Sequence, residues 1–450
     1  MGAFFNFFVA TFAAIGSFLF GYDSGIIGSV ISPNFKQFHE YFNEPNDEIL
    51  GAVVSTFAGG CFFGAMAAGW LADRIGRKRT IQAGSLVAVL GCSLQTGAQN
   101  ISYLMVGRAI AGISIGCLSM IVPLYQSEIS PPNMRGFLTG MTQFMIGMGF
   151  LVANWVGYGC QYIDNEAQWR IPLAIQVVPA ILLLVGMFFL PFSPRWLVEK
   201  GRNEEAFQVI QRLHGNEQNA ELIKLEFADM VEQIKHEKVN MSSKLSDLGT
   251  LSSLLLELAA YLAKLLPSYS YTASLIGLAV ACRSSSVHLG WQAAINAKFP
   301  GEASNNTAAQ RAGVAFIILF GSLFFSTSFG PVSWVYQSEI FPMRVRAMGT
   351  SIATMSNWAV NVMISQVSPI GLSRIGWKFY LVFICTNIVN GKSHGLIVIF
   401  FFPETKGKTL EEMDAVFGDQ AIGHALETGR THNVSGLDDK DGSLEKIEKV

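Results

Sequence analysis

The chain has 450 residues, half of them hydrophobic and only 14% charged, with a formal net charge of −2. Soluble domains carry about 25% charged residues, so an ordinary soluble domain is excluded and a bilayer is the expected solvent. The near-neutral balance also leaves no basic field for nucleic acid.

A helix needs about 20 mostly apolar residues to cross the hydrocarbon. In chain order, windows at about 4–31, 51–72, 81–98, 103–125, 137–158 and 171–192 meet this need, followed by 312–337, 347–370 and 377–402. A weaker tenth window lies within 251–282 and carries Glu257, Lys264 and Pro267; a central lysine there costs about 2.5–3.5 kcal/mol. The opening MGAFFNFFVATF has no basic region and no small-residue cleavage site, so it reads as a retained first span. Glu40, Glu44, Asp47 and Glu48 outnumber Lys36 between the first two spans and place that loop outside. Arg74, Arg77, Lys78 and Arg79 follow span 2, Arg135 follows span 4, and Arg195, Lys200, Arg202 and Arg212 follow span 6. These loops are expected in the cytoplasm, together with both termini.

The 44 glycines include Gly60-Cys-Phe-Phe-Gly64 and Gly112-Ile-Ser-Ile-Gly116, a spacing that lets membrane helices approach closely, although glycine is also simply common in such helices. Gly112 to Gly116 fits G-x-S-x-G, but a nucleophile elbow needs a strand and a sharp turn, and Ser114 lies mid-span. The cysteines Cys61, Cys92, Cys117, Cys160, Cys282 and Cys385 have neither C-x-x-C spacing nor a histidine at ligand spacing, so no disulfide framework and no zinc site are expected. No catalytic residue, metal ligand or cofactor pattern emerges, and the chain does not read as an enzyme. Asn305-Asn-Thr is a glycosylation sequon in an expected outer loop.

The pentapeptide YQSEI occurs twice, at the ends of spans, with Glu128 and Glu339 lying 211 residues apart. SPRWL starts at Ser193 and PETKG at Pro403, 65 and 64 residues after those glutamates. Two parallel halves in tandem, the internal symmetry of many secondary transporters, explain this offset. The expected organisation is a first transmembrane half at 1–192, a cytoplasmic helical linker at 193–250, a second transmembrane half at 251–402 and a cytoplasmic tail at 403–450, disordered from about Gly418.

GYDSGIIG (21–28), GWLADRIGRKRT (69–80), GRAIAGISIG (107–116) and PLYQSEISPPNMRG (123–136) have the order and character of a known set. So do PFSPRWL (191–197), GPVSWVYQSEIFPMRVRAMG (330–349), NWAVN (357–361) and PETKGKTLEEMD (403–414). On these motifs the chain resembles the sugar porter family of the major facilitator superfamily, particularly its fungal members. The resemblance implies an all-α membrane protein of the major facilitator fold, with two six-helix-type halves as parallel repeats. It also implies alternating access for a monosaccharide or related polyol. The second half departs from the pattern. A D-R-x-G-R counterpart to Asp73 is due near residue 284, where ACRSSSVHLG stands instead, and 242–292 lacks the paired glutamines and the asparagine of a family seventh span. That stretch leaves room for one crossing, so the second half reads as short of about two spans. NGKSH at 390–394 interrupts the last span, and Phe192 stands where many members have Glu.

An acid within a span is expensive and is a functional candidate by default. At about 1.5 Å per residue, Asp23 and Arg108 reach similar depths in spans 1 and 4, so they can meet, and burial against ion pairing could load and release a proton. The resemblance adds that proton-coupled members have Asp at this position. A fixed ion pair tying the two spans together is the plainer alternative. Sugar hydroxyls need side chains that donate and accept beside an apolar face. Gln143, Trp334 and Asn357 match family sugar-contact positions, with Asn154, Trp358 and Asn361 as weaker choices; each amide could instead join helices. Arg77, Glu128, Arg135, Arg195, Glu339 and Arg346 form a cytoplasmic charge set that, by the resemblance, latches the inner gate. The alternative is solvated loop charges contributing about 0–1 kcal/mol per pair.

The expected function is secondary transport of a hexose across the plasma membrane, coupled to protons, by a monomer with sugar, protons and the bilayer as partners. A sugar-sensing receptor on the same fold and a shortened, inactive transporter are the alternatives.

Overall fold

In the computed structural model, the described residues are 2–131, 133–214, 220–245, 329–341 and 343–375, with short pieces between 378 and 386. Among them every regular element is helical: α1 Gly2–Ala13, α2 Ile15–Val30, α3 Lys36–Tyr41, α4 Asp47–Ile75, α5 Arg77–Thr96, α6 Ile101–Ile129 and α7 Arg135–Cys160. Then come α8 Ala167–Ile175, α9 Val177–Gly186, α10 Pro194–Glu199, α11 Asn203–His214, α12 Ala220–Leu245, α13 Phe329–Glu339 and α14 Met343–Ile375. The weak tenth window, the NGKSH interruption, the PETKG segment, the sequon and the tail lie outside the described residues, as do Cys282 and most of the last span.

Helix starts follow local chemistry. The side chains of Asn46 and Asn100 accept from the Ile49 and Tyr103 backbone N–H groups at 2.9 and 2.8 Å, and Ser193 does the same for Trp196 at 3.4 Å. Each satisfies a donor that the first helical turn leaves orphaned. Gly76, with φ of +89°, turns the chain between α4 and α5; a Cβ there would press on the Trp196 ring.

Among the described residues, five helical stretches are long and apolar enough to cross a membrane: Phe4–Val30, Asp47–Ile75, Ile101–Ile129, Arg135–Cys160 and Ala167–Gly186. Two contain breaks that the hydropathy windows did not anticipate. The first is interrupted at Ala14, between α1 and α2. The last is interrupted at Gln176, between α8 and α9, where Pro179 has no N–H to offer the carbonyl one turn earlier. Helices α5 and α14, which correspond to the expected spans 81–98 and 347–370, have 20 and 33 residues; α5 opens on Arg77, Lys78 and Arg79 before its apolar stretch, and serine, threonine and asparagine punctuate α14.

Helix α6 is the hub. It packs along α4 on one side and α5 on another, α2 lies along α7, and α14 lies along α4. The close approach of α4 and α6 rests on the glycines singled out in the sequence. A Cβ on Gly64 would collide with the Ile113 carbonyl, one on Gly112 with that of Phe57, and one on Gly116 with that of Cys61. Burial runs in the sense expected for lipid. Phe63, Trp70, Leu90, Phe144, Phe188 and Phe189 are exposed, whereas Asp23, Arg108, Arg77, Glu128 and Gln126 are buried.

Candidate functional site

The first cluster gathers around α2. Arg108 on α6 is fully buried and its Nη1 forms an ion pair with Asp23 Oδ1. The Gln176 amide, with its nitrogen turned as its neighbours require, donates to both Asp23 oxygens at 3.1 and 3.3 Å. Gln176, at the junction of α8 and α9 with helical φ/ψ of −58° and −29°, thus brings a neutral donor to a buried carboxylate. Arg108 Nε donates to the Val53 carbonyl at 3.4 Å, and its guanidinium lies 4.2 Å from the centre of the Phe57 ring. Next door, Tyr22 Oη donates to the Pro172 carbonyl at 3.1 Å, which ties α2 to α8. A buried acid with one cationic and one neutral partner keeps a hydrogen-bond donor when it is neutralised. Such an acid can change protonation without losing all of its contacts.

The second cluster lies at the other, basic end of the helices. Arg77 Nε and Nη2 reach Glu128 Oε1 at 3.0 and 2.9 Å, Arg77 Nη1 donates to the Ala72 carbonyl at 3.1 Å, and Ser193 Oγ donates to Glu128 Oε2 at 2.5 Å. Arg77 and Glu128 are 1% and 3% exposed, so the solvated-loop reading does not describe them. Arg135, Arg195, Glu339 and Arg346 are buried as well, and Arg346 Nε donates to the Phe341 carbonyl at 2.9 Å.

The repeated pentapeptide has a structural use. Tyr125 Oη donates to the Pro191 carbonyl at 2.7 Å, and Gln126 donates to Ala10 at 2.9 Å while accepting from Thr142 at 2.6 Å. The Ile129 carbonyl accepts from Asn6 at 2.7 Å and meets the His214 ring at 3.0 Å. In both copies the serine bonds to the carbonyl three residues back, Ser127 to Leu124 and Ser338 to Val335, each at 2.8 Å.

The expected sugar-contact residues separate. Trp334 Nε1 on α13 donates to Gln143 Oε1 on α7 at 3.1 Å, so two of them meet across helices distant in sequence. Asn357 and Asn361 share one face of α14 and bond to each other, with Asn361 Nδ2 donating to the Asn357 carbonyl at 2.9 Å. Asn154 is exposed, donates to its own helix at Phe150, and lines a groove of about 370 Å³ with Trp155 and Tyr158. Trp358 is buried: its Nε1 donates to Ser119 Oγ at 3.3 Å, and its ring stacks at a tilt 5.2 Å from Phe20. Gln176, Phe57 and Ser193 were missed by sequence reasoning. Gln176 had a signal, an amide between two prolines inside an apolar window. Among the described residues no group of three or more metal-ligating side chains occurs.

A sequence profile described as "Sugar (and other) transporter" matches residues 9–266 and 270–417. The chain is 36% identical over 456 residues to the MFS-type transporter criB of Aspergillus cristatus, covering 92% of this chain and 93% of that protein. It is 30% identical over 478 residues to a high-affinity glucose transporter of Kluyveromyces lactis, covering 92% and 86%. Among solved structures it is similar to the proton:xylose symporter XylE bound to 6-bromo-6-deoxy-D-glucose, with a TM-score of 0.71, 21% identity, and coverage of 93% of this chain and 100% of that one.

Proposed function

The chain belongs to the sugar (and other) transporter family, and from that premise we propose that this transporter carries a hexose across the plasma membrane together with a proton. The observation that carries the coupling is the buried Asp23 on α2, held by Arg108 of α6 and by Gln176 between α8 and α9. Gln176 satisfies the carboxyl oxygens beside Arg108 and, being neutral, remains a donor to Asp23 when the acid is protonated. Unlike Glu128, at the end of α6, Asp23 lies within a span, where an acid is expensive. The relative from Kluyveromyces lactis, described as a glucose transporter, favours a hexose.

In this reading the halves 1–192 and 251–402 rock about a site between them, with 193–250 as a cytoplasmic linker and 403–450 as a tail. Gln143 and Trp334 offer an amide and an indole edge to the sugar, with Asn357, Asn361 and Asn154 as further polar groups along its path. The Gln143–Trp334 bond at 3.1 Å is then exchanged for bonds to sugar hydroxyls. Arg77, Glu128, Arg135 and Arg195, with Glu339 and Arg346, close the cytoplasmic side when the outer side is open. The protein works as a monomer with both termini in the cytoplasm.

The test is uptake of radiolabelled D-glucose into cells lacking their own hexose carriers, in acidic and in neutral medium, with and without an uncoupler. The reading expects uptake that rises in acid and collapses with the uncoupler, and an Asp23→Asn variant that equilibrates glucose without accumulating it. Surface-expressed protein that binds glucose but moves none would favour the sensor reading. Accumulation by Asp23→Asn equal to that of the parent would remove Asp23 from the coupling.

A further inference from the structure

Phe57 has no polar side-chain atom, yet it stands between the buried ion pair and Trp358 on α14. One face of its ring lies under the Arg108 guanidinium, 4.2 Å away. Its other neighbour is Trp358, whose ring centre is 6.1 Å off and nearly perpendicular at 85°. Trp358 is in turn fixed by Ser119 on α6 and by Phe20, which lies on α2 one turn before Asp23. Phe57 and Trp358 are each 4% exposed. The path from Asp23 through Arg108, Phe57 and Trp358 therefore runs through touching, buried groups and returns to α2 at Phe20.

A second observation points the same way. Arg108 Nη2 is buried with no hydrogen-bond partner among the described residues. A buried guanidinium with an orphaned N–H depends on whatever else can answer its charge, and the negative face of an aromatic ring does so. The titratable groups facing the pair are Cys61 on α4, Cys92 on α5 and Tyr22 on α2 itself. None of them is a cation or a carboxylate. When Asp23 takes up a proton, the guanidinium therefore loses its only anionic partner in this set and retains the Val53 carbonyl and the Phe57 ring.

We propose that Phe57 is the positioning residue that transmits the state of the Asp23–Arg108 pair to Trp358 on α14. The inference rests on the reading of Asp23 as the proton-carrying group. With Asp23 ionised, the ion pair holds the guanidinium and the ring sits in the perpendicular contact just described. With Asp23 protonated, the guanidinium shifts its weight onto the ring face, and the ring tilts. Because edge-to-face packing is directional, the tilt moves the indole, which ties the protonation state of α2 to α14. Such a path is a physical claim only if breaking it uncouples its ends.

The test uses the full-length protein carrying Phe57→Tyr, which keeps the ring, and Phe57→Leu and Phe57→Met, which keep apolar bulk without one. The Trp358 fluorescence of purified protein, obtained by subtracting the spectrum of a Trp358→Phe variant, is followed across pH. D-glucose accumulation is measured on the same set in cells. The expected result is a pH-dependent Trp358 signal in the parent and in Phe57→Tyr, and a flat signal in Asp23→Asn and in whichever ringless variant is monodisperse. Accumulation in the ringless variants should fall roughly tenfold, within the range of ordinary coupling energies, while glucose exchange at equal concentrations continues. A Trp358 signal that still responds to pH without the ring, or that never responds in the parent, overturns the inference. A parent that moves no glucose but loses its Trp358 response in Phe57→Leu supports the relay and overturns only the substrate reading.

Discussion

Two buried carboxylates, Asp23 and Glu128, are each answered by an arginine, but their remaining partners differ. Glu128 receives two nitrogens of Arg77 and the Ser193 hydroxyl. Removing one member of a buried pair strands the other charge, which costs about 3–5 kcal/mol. Glu128→Ala is therefore expected to lower the thermal unfolding midpoint of detergent-purified protein sharply, whereas Ser193→Ala, which removes one hydrogen bond to the charged carboxylate, should cost less, about 1.5–3 kcal/mol. Equal, small losses for both would mean that the pair is solvated. The depth count made from the sequence brought Asp23 and Arg108 to the same level, and they do touch. Gln176 and Phe57 were not legible in the same way. Depth follows from residue number, but which azimuth of a helix faces a partner depends on packing and on the break at Gln176.

At the scale of elements, the contact between α4 and α6 is a backbone-to-backbone approach that only glycine permits at Gly64, Gly112 and Gly116. Putting Val at Gly116 sets a side chain against the Cys61 carbonyl, a form of overpacking that costs at least about 1–3 kcal/mol. Gly116→Val is expected to abolish a monodisperse peak in size-exclusion chromatography. By contrast Gly147→Val, where a Cβ would meet nothing within 4 Å, should leave the peak unchanged. The G-x-x-x-G spacing made this contact readable in advance, because it depends on residue size and period alone. The breaks at Ala14 and Gln176 were not readable from hydropathy, which averages over a window and is blind to a single interrupted turn. In the first span Gln126 holds the Ala10 carbonyl at 2.9 Å, a partner 116 residues away. At the end of α11, His214 meets both the Ile129 carbonyl at 3.0 Å and Glu226 at 3.1 Å, fastening α11 to the end of α6 and to α12. His214→Ala should raise proteolytic nicking between α11 and α12 without altering the helical content of the membrane part. Unchanged nicking would argue that the apolar face of α11 alone secures it.

In the whole molecule, α14 runs antiparallel along α4. Ser351 Oγ donates to the Ala65 carbonyl at 2.7 Å toward the basic end, and Ser55 Oγ donates to Gln366 Oε1 at 2.7 Å toward the acidic end. Polar contacts at both ends of one helix pair suit a contact that opens alternately at either end. Cross-linking Ser55→Cys to Gln366→Cys is expected to stop glucose uptake, with recovery on reduction; uptake unaffected by the cross-link would show that this contact does not open. The repeated YQSEI allowed the two-part plan to be drawn from sequence, and the equivalent Ser127 and Ser338 bonds follow it locally. The measurement that bears most directly on proton-coupled sugar transport is made in proteoliposomes. A D-glucose gradient is imposed into vesicles containing a trapped pH dye. Coupling through Asp23 predicts that the lumen acidifies as glucose enters, and that Asp23→Asn passes glucose with no change in pH. Glucose entry through the parent protein with a constant lumen pH would contradict it.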